Sequence, residues 1–564
     1  MRKLWTLFAA VSLGACTTLP DHAADAPGMV SAADPRAAEA GASILRKGGS
    51  ATDAVLATLL ALTVVEPQSS GIGGGGFLVT SDARGDVDTF DGRETAPAAA
   101  GPSWFLKDGK PMSFEDAVPG GKSVGVPGNV RMMALAHRQH GKLPWAALFQ
   151  PAIRLARDGF AITQRLNFAL ARGDDEGFSV AALTTEGRAL YFAADGKPLP
   201  VGTTIRNPAL AAALEQIAAR GPDSFYIGPN AQAIATIVRT APSNPAAMTP
   251  GDLAAYEAKA RDPVCGSYRS HRVCGMGPPS SGATTVFAIL KQLERFDLTA
   301  LGPDSPVAWH LVAESMRLAY ADRDMYLADA DFVSVPVAGL TDPAYLAQRS
   351  ALIAPTARMA NVAAGRPAGA RRMALSPQSV EQGTSHFVAT DRAGNVASLT
   401  STIESAFGSG LMVNGYYLNN ELTDFNFVPS VDNAAVANRV EGGKRPRSSM
   451  SPTIVFSPDG RVRLALGAAG GATIIAQVAK AIIGVIDWRL SAQRAIALPV
   501  IYSPGATVFV EKGTAHETMI PALVALGHKV EVRAPGYKAN AIEYRDGRWL
   551  GAADPRSEGT SVGE

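Results

Sequence analysis

Residues 381–402 read EQGTSHFVATDRAGNVASLTST. Two β-prone runs, SHFVAT and VASLTST, flank the loop DRAGN, and Gly and Asn in such a loop mark an antiparallel hairpin. A hairpin centred on Ala393 sets position 384 opposite position 402, and both are threonine. The tripeptide Gly-Thr-Ser carries little by itself, because it recurs at residues 559–561. The partner across the hairpin is what distinguishes Thr384.

A threonine hydroxyl is a weak nucleophile and needs a base. If the bond between Gly383 and Thr384 were cut, Thr384 would gain an α-amine with an ordinary pKa of about 7.7–8.0 beside its own hydroxyl. That amine is a built-in base for acyl transfer. Gly383 suits scission, since glycine accepts unusual backbone angles and leaves its carbonyl open. Thr402 is then placed to orient the nucleophile.

The whole chain frames this reading. It has 564 residues, 47% hydrophobic and 18% charged, with a net charge of +1. That is a globular composition with material for a large core. No basic patch points to a nucleic-acid partner. Residues 1–15 read as a signal: Arg2 and Lys3 lead an apolar stretch, Leu4–Leu13, too short to span a bilayer. Cys16 follows Leu13-Gly14-Ala15, a pattern similar to the bacterial lipoprotein box, in which the cysteine is lipidated. An exported, periplasmic or cell-envelope protein is expected, touching membrane only through a lipid on Cys16. The other two cysteines, Cys265 and Cys274, face each other if a hairpin turns at Arg269-Ser270. A disulfide and two buried free thiols both stay open, because Arg-Ser is a poor two-residue turn.

Along the chain, Asp34 and Pro35 open a helix, and Ser50 caps a second, buried one that stops near Pro67. Two strands follow GIGGGG, with a turn near Ala83–Gly85. Residues 120–330 are mainly helical, and 355–383 form a polar segment leading to Thr384. After it come a second hairpin around Pro458-Asp459-Gly460 and the buried helix GATIIAQVAKAIIGVIDW. Hairpins alternating with buried helices imply antiparallel sheets covered by helices, an α+β fold.

The stretch Gly71–Gly76 has the wrong context for a dinucleotide site, lying after a helix and before a strand; a close backbone approach or a structural turn explains it better. His137 and His140 suit a solvated helix end rather than a metal site, and no HExxH, CxxC or P-loop pattern occurs. No metal or cofactor is expected. Gly470 and Gly471 open the last buried helix, where free N–H groups can serve as an oxyanion hole. Ser448 and Ser449 offer adjacent hydroxyls, and Glu421 and Asp424 a pair of carboxylates.

Together these residues resemble the γ-glutamyltranspeptidase (glutathione hydrolase) family. The resemblance runs through GGSATDAV, GIGGGGF, DGRETAP, GVPGNV, GPPSSG, the Thr384 hairpin, LNNELTDF, KRPRSSMSPTI and GAAGGATII. It implies an N-terminal-nucleophile hydrolase, a four-layer αββα sandwich made as a precursor that cuts itself at Gly383–Thr384. The expected products are a large subunit, 16–383, and a small catalytic one, 384–564. By resemblance Thr384 is the nucleophile, Thr402 its partner, and Gly470 and Gly471 the oxyanion hole. Arg93, with Ser448 and Ser449, would hold a substrate α-carboxylate. Asp424, Glu421 and Glu404 would hold its α-amine. The implied substrates are glutathione and other γ-glutamyl compounds, with water, amino acids or peptides as acceptors. One departure is the loop 425–447, which forms an aromatic lid in some members; Phe425 and Phe427 are its candidates here. The rival readings are a cephalosporin or glutaryl-type acylase and a non-catalytic binding protein on the same scaffold.

Overall fold

In this computed structural model the described residues are 26–172, 181, 183–371, 373–375, 383–534 and 536–564. The signal segment and Cys16 lie outside them, as does part of the polar segment before Gly383. In chain order the strands of the two large sheets are β1 (Met29–Ala32), β2 (Gly75–Ser81), β3 (Val87–Asp91), β4 (Lys259–Arg261), β5 (Val264–Tyr268), β6 (His271–Gly275), β7 (Ser385–Thr390), β8 (Val396–Thr402), β9 (Thr453–Phe456), β10 (Val462–Ala469), β11 (Lys538–Arg545), β12 (Arg548–Ala553) and β13 (Thr560–Gly563). One sheet has seven strands, ordered β13-β1-β7-β8-β2-β3-β4, and the other six, ordered β12-β11-β10-β9-β6-β5.

The sheets pack face to face, with β7 and β8 against β10 and β11. Helices α1 (Pro35–Leu45) and α2 (Ala51–Val65) cover the outer face of the first sheet. Helices α3 (Gly282–Leu293) and α5 (Thr473–Ile486) cover the second, with α4 (Pro306–Tyr326) packed on α3. The result is the αββα order. Period-2 alternation drives it: Phe387, Ala389, Ala397 and Leu399 join the core under α1 and α2, while Val388 and Val396 join the core on the other face.

Local chemistry sets the boundaries. The Asp34 carboxylate accepts from the Arg36 amide and caps α1, with Pro35 in its first turn. Ser50 and Asp53 form a reciprocal capping box on α2, all of whose residues are buried. The turn at Arg269-Ser270 forms despite its composition. Both residues take left-handed φ, 48° and 65°, and Arg269 is held by Glu294, Asp487 and Phe296. That turn sets Cys265 opposite Cys274, and the two are joined in a disulfide with Cα atoms 4.1 Å apart. Among the described residues no helix is long and apolar enough to cross a membrane.

The glycine run is a close-approach surface. A Cβ on Gly74 would lie 2.0 Å from the Thr402 carbonyl oxygen and 2.8 Å from Ile403. The nearest atom is the Thr402 backbone carbonyl, which cannot swing aside as a side chain could. Gly74→Ala is therefore expected to lower the apparent unfolding temperature, by overpacking worth about 1–3 kcal/mol or more. Gly101→Ala, with open space around it, is the control. Equal melting of the two variants would contradict this packing.

Candidate functional site

The hairpin places Thr384 and Thr402 at one end of adjacent strands. Ser385 pairs with Ser401, so the two threonines are the next rung. The Thr384 hydroxyl donates to the Thr402 hydroxyl oxygen at 3.1 Å, and the Glu404 amide donates to the same oxygen at 2.7 Å. Both threonines are buried. The loop after α2 supports them: the Ser69 carbonyl accepts from the amides of Thr384 (3.1 Å) and Ile403 (3.3 Å).

The backbone at this point is strained. Thr384 has φ 100°, a value that a β-branched residue rarely adopts. At Gly383 a Cβ would lie 1.6 Å from the Glu404 carbonyl oxygen. Only glycine fits there.

The second part of the site is a buried charge cluster. Arg93 follows β3, while Glu421 and Asp424 bracket the short helical turn Glu421–Asp424. The Arg93 guanidinium pairs with both carboxylates, lies 3.8 Å from Glu94, and donates to the carbonyls of Pro446 and Arg447 at 3.1 Å each. Burial disfavours the charged guanidinium, but Glu421, Asp424 and Glu94 outweigh it and hold Arg93 firmly protonated. Burial also raises Asp424, Glu421 and Glu94, the last to about 8, with Arg93 opposing in each case. Glu404, with φ 74°, accepts from Asn420 and from the Ser405 hydroxyl, and adds its charge near Glu421.

Ser448 and Ser449 lie just beyond the carbonyls that Arg93 contacts. The Ser448 hydroxyl oxygen accepts from the Met450 amide at 3.2 Å, and the Ser449 hydroxyl accepts from Arg323 at 2.6 Å. Gly470 and Gly471, with φ 119° and 57°, join β10 to α5. Ala469, just before them, is opposite Lys538 of β11, whose ammonium reaches the Ser385 hydroxyl beside Thr384. The loop 425–447 carries a small hairpin, Ser430–Val431 with Ala434–Ala435. Phe425 is buried in a local core, and Phe427 stacks on Phe105 with ring centres 4.3 Å apart. His137 and His140 have separate partners, the Leu143 carbonyl and Asp88. Among the described residues no cluster of three or more His, Cys, Asp or Glu suits a metal ion.

Sequence reasoning did not single out Glu94, Ser69, Arg323 or Arg447. Glu94 stood inside the quoted DGRETAP motif, so its signal was present. Arg447 likewise stood inside the quoted KRPRSSMSPTI motif; it meets Arg323 through Asp324, the chain neighbour of Arg323, which pairs with both.

Two facing antiparallel sheets between helical layers, with a buried threonine at a strand mouth after a strained Gly-Thr bond, make this an N-terminal-nucleophile-hydrolase fold. The profile of the family Gamma-glutamyltranspeptidase matches residues 37–564, and the chain belongs to that family. It is 38% identical to the glutathione hydrolase proenzyme of Escherichia coli, over 94% of this chain and 90% of that one. It is 37% identical to the acylase ACY 1 proenzyme of a Pseudomonas species, over 95% and 93%. A crystal structure of cephalosporin acylase from Bacillus halodurans superimposes with a TM-score of 0.83 at 27% identity, covering 95% of this chain and 96% of that chain.

The charge cluster generates a pH prediction. Glu94 is fully buried, accepts no hydrogen bond from another of the described residues, and has its pKa raised to about 8. An unfolded glutamate titrates near 4.3. Between those values the folded chain keeps a proton that the unfolded chain has lost. This carboxyl's contribution to stability therefore falls as pH rises, by up to about 1.4 kcal/mol per pH unit. Glu94→Gln removes the titration. Its stability relative to wild type should rise from pH 5 to pH 8, read from unfolding temperatures at both. The same difference at both pH values would remove Glu94 as the proton-binding group.

Proposed function

We propose that this chain splits itself between Gly383 and Thr384 and then transfers γ-glutamyl groups, hydrolysing glutathione and related γ-glutamyl amides or passing the acyl group to amino acids or peptides. The observation that carries the reading is the Thr384–Thr402 hydroxyl pair at a strained Gly-Thr bond. In maturation the Thr384 hydroxyl oxygen attacks the Gly383 carbonyl carbon. The C–N bond breaks, its nitrogen takes the hydroxyl proton, and water hydrolyses the resulting ester. The products are a Gly383 carboxylate and a free Thr384 amine. In turnover that amine takes the hydroxyl proton as the oxygen attacks the γ-amide carbon, and passes it to the departing amine. Water or an acceptor amine then releases the γ-glutamyl ester. The N–H groups of Gly470 and Gly471 stabilise the oxyanion in this reading.

The charge cluster supports an α-amino-acid head. Glu421, Asp424 and Glu94 share the Arg93 guanidinium, and burial holds all three carboxyls above their usual range. A substrate ammonium among them favours their ionised forms, while its carboxylate takes Arg93, helped by Ser448 and Ser449. A glutaryl-type acyl group lacks the ammonium, and burying unpaired acids beside it is costly. The acylase reading keeps its place because a cephalosporin acylase superimposes over nearly the whole chain.

The N-terminal sequence supports export with lipid attachment at Cys16. The Cys265–Cys274 disulfide supports the same oxidising side of the membrane.

Thr384→Ala should leave one uncut chain with no activity, where wild type gives two bands on a denaturing gel. A Thr384→Ala protein that still matures would assign the cut to another agent. Asp424→Asn should still split but lose roughly 10- to 100-fold in kcat/KM for γ-glutamyl-p-nitroanilide. Wild type should strongly prefer that substrate to glutaryl-p-nitroanilide. A preference for the glutaryl compound would establish the acylase reading.

A further inference from the structure

Outside the charge cluster, a second buried ionic group sits directly behind Thr384. Glu66 follows the end of α2, and Lys538 begins β11. The Lys538 ammonium donates to both Glu66 oxygens, at 2.9 and 3.2 Å, and to the Ser385 hydroxyl oxygen at 3.1 Å. The Ser385 hydroxyl donates to Glu66 at 2.6 Å. Lys538 and Ser385 are fully buried and Glu66 is 2% exposed. Arg165, on the helix Gln164–Ala171, approaches Glu66 to 3.5 Å.

We propose that Glu66 and Lys538, acting through the Ser385 hydroxyl, are positioning residues that hold Thr384 in register once the chain is cut. The inference rests on Thr384 being the nucleophile. Cutting before Thr384 turns the mouth of β7 into a chain terminus, and strand termini fray unless tied down. Ser385 is the first residue behind the new end. Its side chain is gripped from both sides, by an acceptor and a donor fixed on two different layers of the fold. A displacement near 1 Å at a reacting atom can cost about 100-fold in rate.

The electrostatics fit a fixed ionic clamp. Burial pushes Glu66 up, but Lys538, Arg165 and the Ser385 hydroxyl outweigh it and hold the carboxyl below its usual range. Burial lowers Lys538 to about 8, with Glu66 opposing, Arg165 assisting and Asp34 opposing. The asymmetry follows from geometry, since Glu66 faces two cations and Lys538 faces one of them as a like charge. Buried ion pairs give little net stability, so precision of placement is the better account of this one.

The test separates the hydroxyl from its volume. Ser385→Ala, Ser385→Thr and Ser385→Val are compared with wild type, Thr384→Ala and the doubly neutral Glu66→Gln/Lys538→Met. Maturation is followed on gels, unfolding by temperature, and kcat and KM with γ-glutamyl-p-nitroanilide on the cut protein. Ser385→Thr should keep kcat within about threefold. Ser385→Ala, Ser385→Val and the double variant should lose roughly 10- to 100-fold in kcat, with KM within about twofold. Thr and Val have nearly the same shape, so their comparison decides the matter even if the alanine variant folds poorly. Equal kcat for Ser385→Thr and Ser385→Val overturns the positioning role, as does full kcat in Ser385→Ala. If Thr384→Ala still matures or turns over substrate, the nucleophile itself is misassigned. A silent Thr384→Ala beside a fully active Ser385→Ala removes only the clamp.

Discussion

The register of one hairpin governs this molecule. Asp391 fixes it by accepting from the amides of Ala393 and Asn395 and from the Asn395 side chain. The same carboxylate accepts from the Ala51 amide at the start of α2. At the other end of α2, Glu66 accepts from Ser385 at the mouth of the hairpin. One helix thus runs the length of the strand and is tied to it at both ends. The lengths agree: a helix of 15 residues spans about 22 Å, and the six residues of β7 about 20 Å. A slip of one residue would turn Thr384 away from Thr402 and also break both ties.

The Arg93 cluster obeys a different constraint. A buried guanidinium with several buried carboxylates is a poor way to gain stability, because desolvation consumes most of the Coulomb energy. Under the proposed function its value lies in a ready exchange of partners. A zwitterionic head would enter such a cluster by replacing an internal ion pair with two external ones, so neither end of it meets an unpaired charge. On that proposal, recognition of the two ends of an amino acid is coupled. No single residue of the cluster can be changed without altering the proton affinity of the others.

What the sequence revealed follows how locally each feature is encoded. The Thr384–Thr402 pairing lies within one hairpin, so period-2 counting reached it. The caps of α1 and α2 were legible for the same reason; the density of glycine in Gly71–Gly76 announced a close approach, but not that Thr402 is what Gly74 approaches. The pairing of Arg93 with Glu421 and Asp424 joins segments more than 300 residues apart. Only the family resemblance put those residues in one place, and it assigned them to opposite ends of a ligand rather than to each other. The Glu66–Lys538 pair, 472 residues apart in the chain, had neither local pattern nor quoted motif. The loop 425–447 posed its own difficulty, since stacking of Phe427 on Phe105 depends on how two distant loops meet.

The geometry around Gly383 also bears on why a peptide bond here should be reactive. The φ of Thr384 is a torsion about its N–Cα bond, defined by the carbonyl carbon of Gly383. Holding it near 100° in a β-branched residue costs on the order of 1–3 kcal/mol. The Ser69 carbonyl fixes the nitrogen side of that torsion, Ser385 the carbon side, and the Glu404 carbonyl crowds the glycine. The strain therefore cannot relax by moving either residue. Under the proposed self-cleavage, the torsion ceases to exist when the C–N bond breaks, so the strain is released in the reaction itself. The Ser69 and Ser385 contacts that store it are made by Thr384, its neighbour in the hairpin and the α2 loop, and these survive the cut; the crowding of Gly383 by Glu404 is what the cut relieves. The same backbone can thus destabilise the uncut bond and hold the new terminus afterwards.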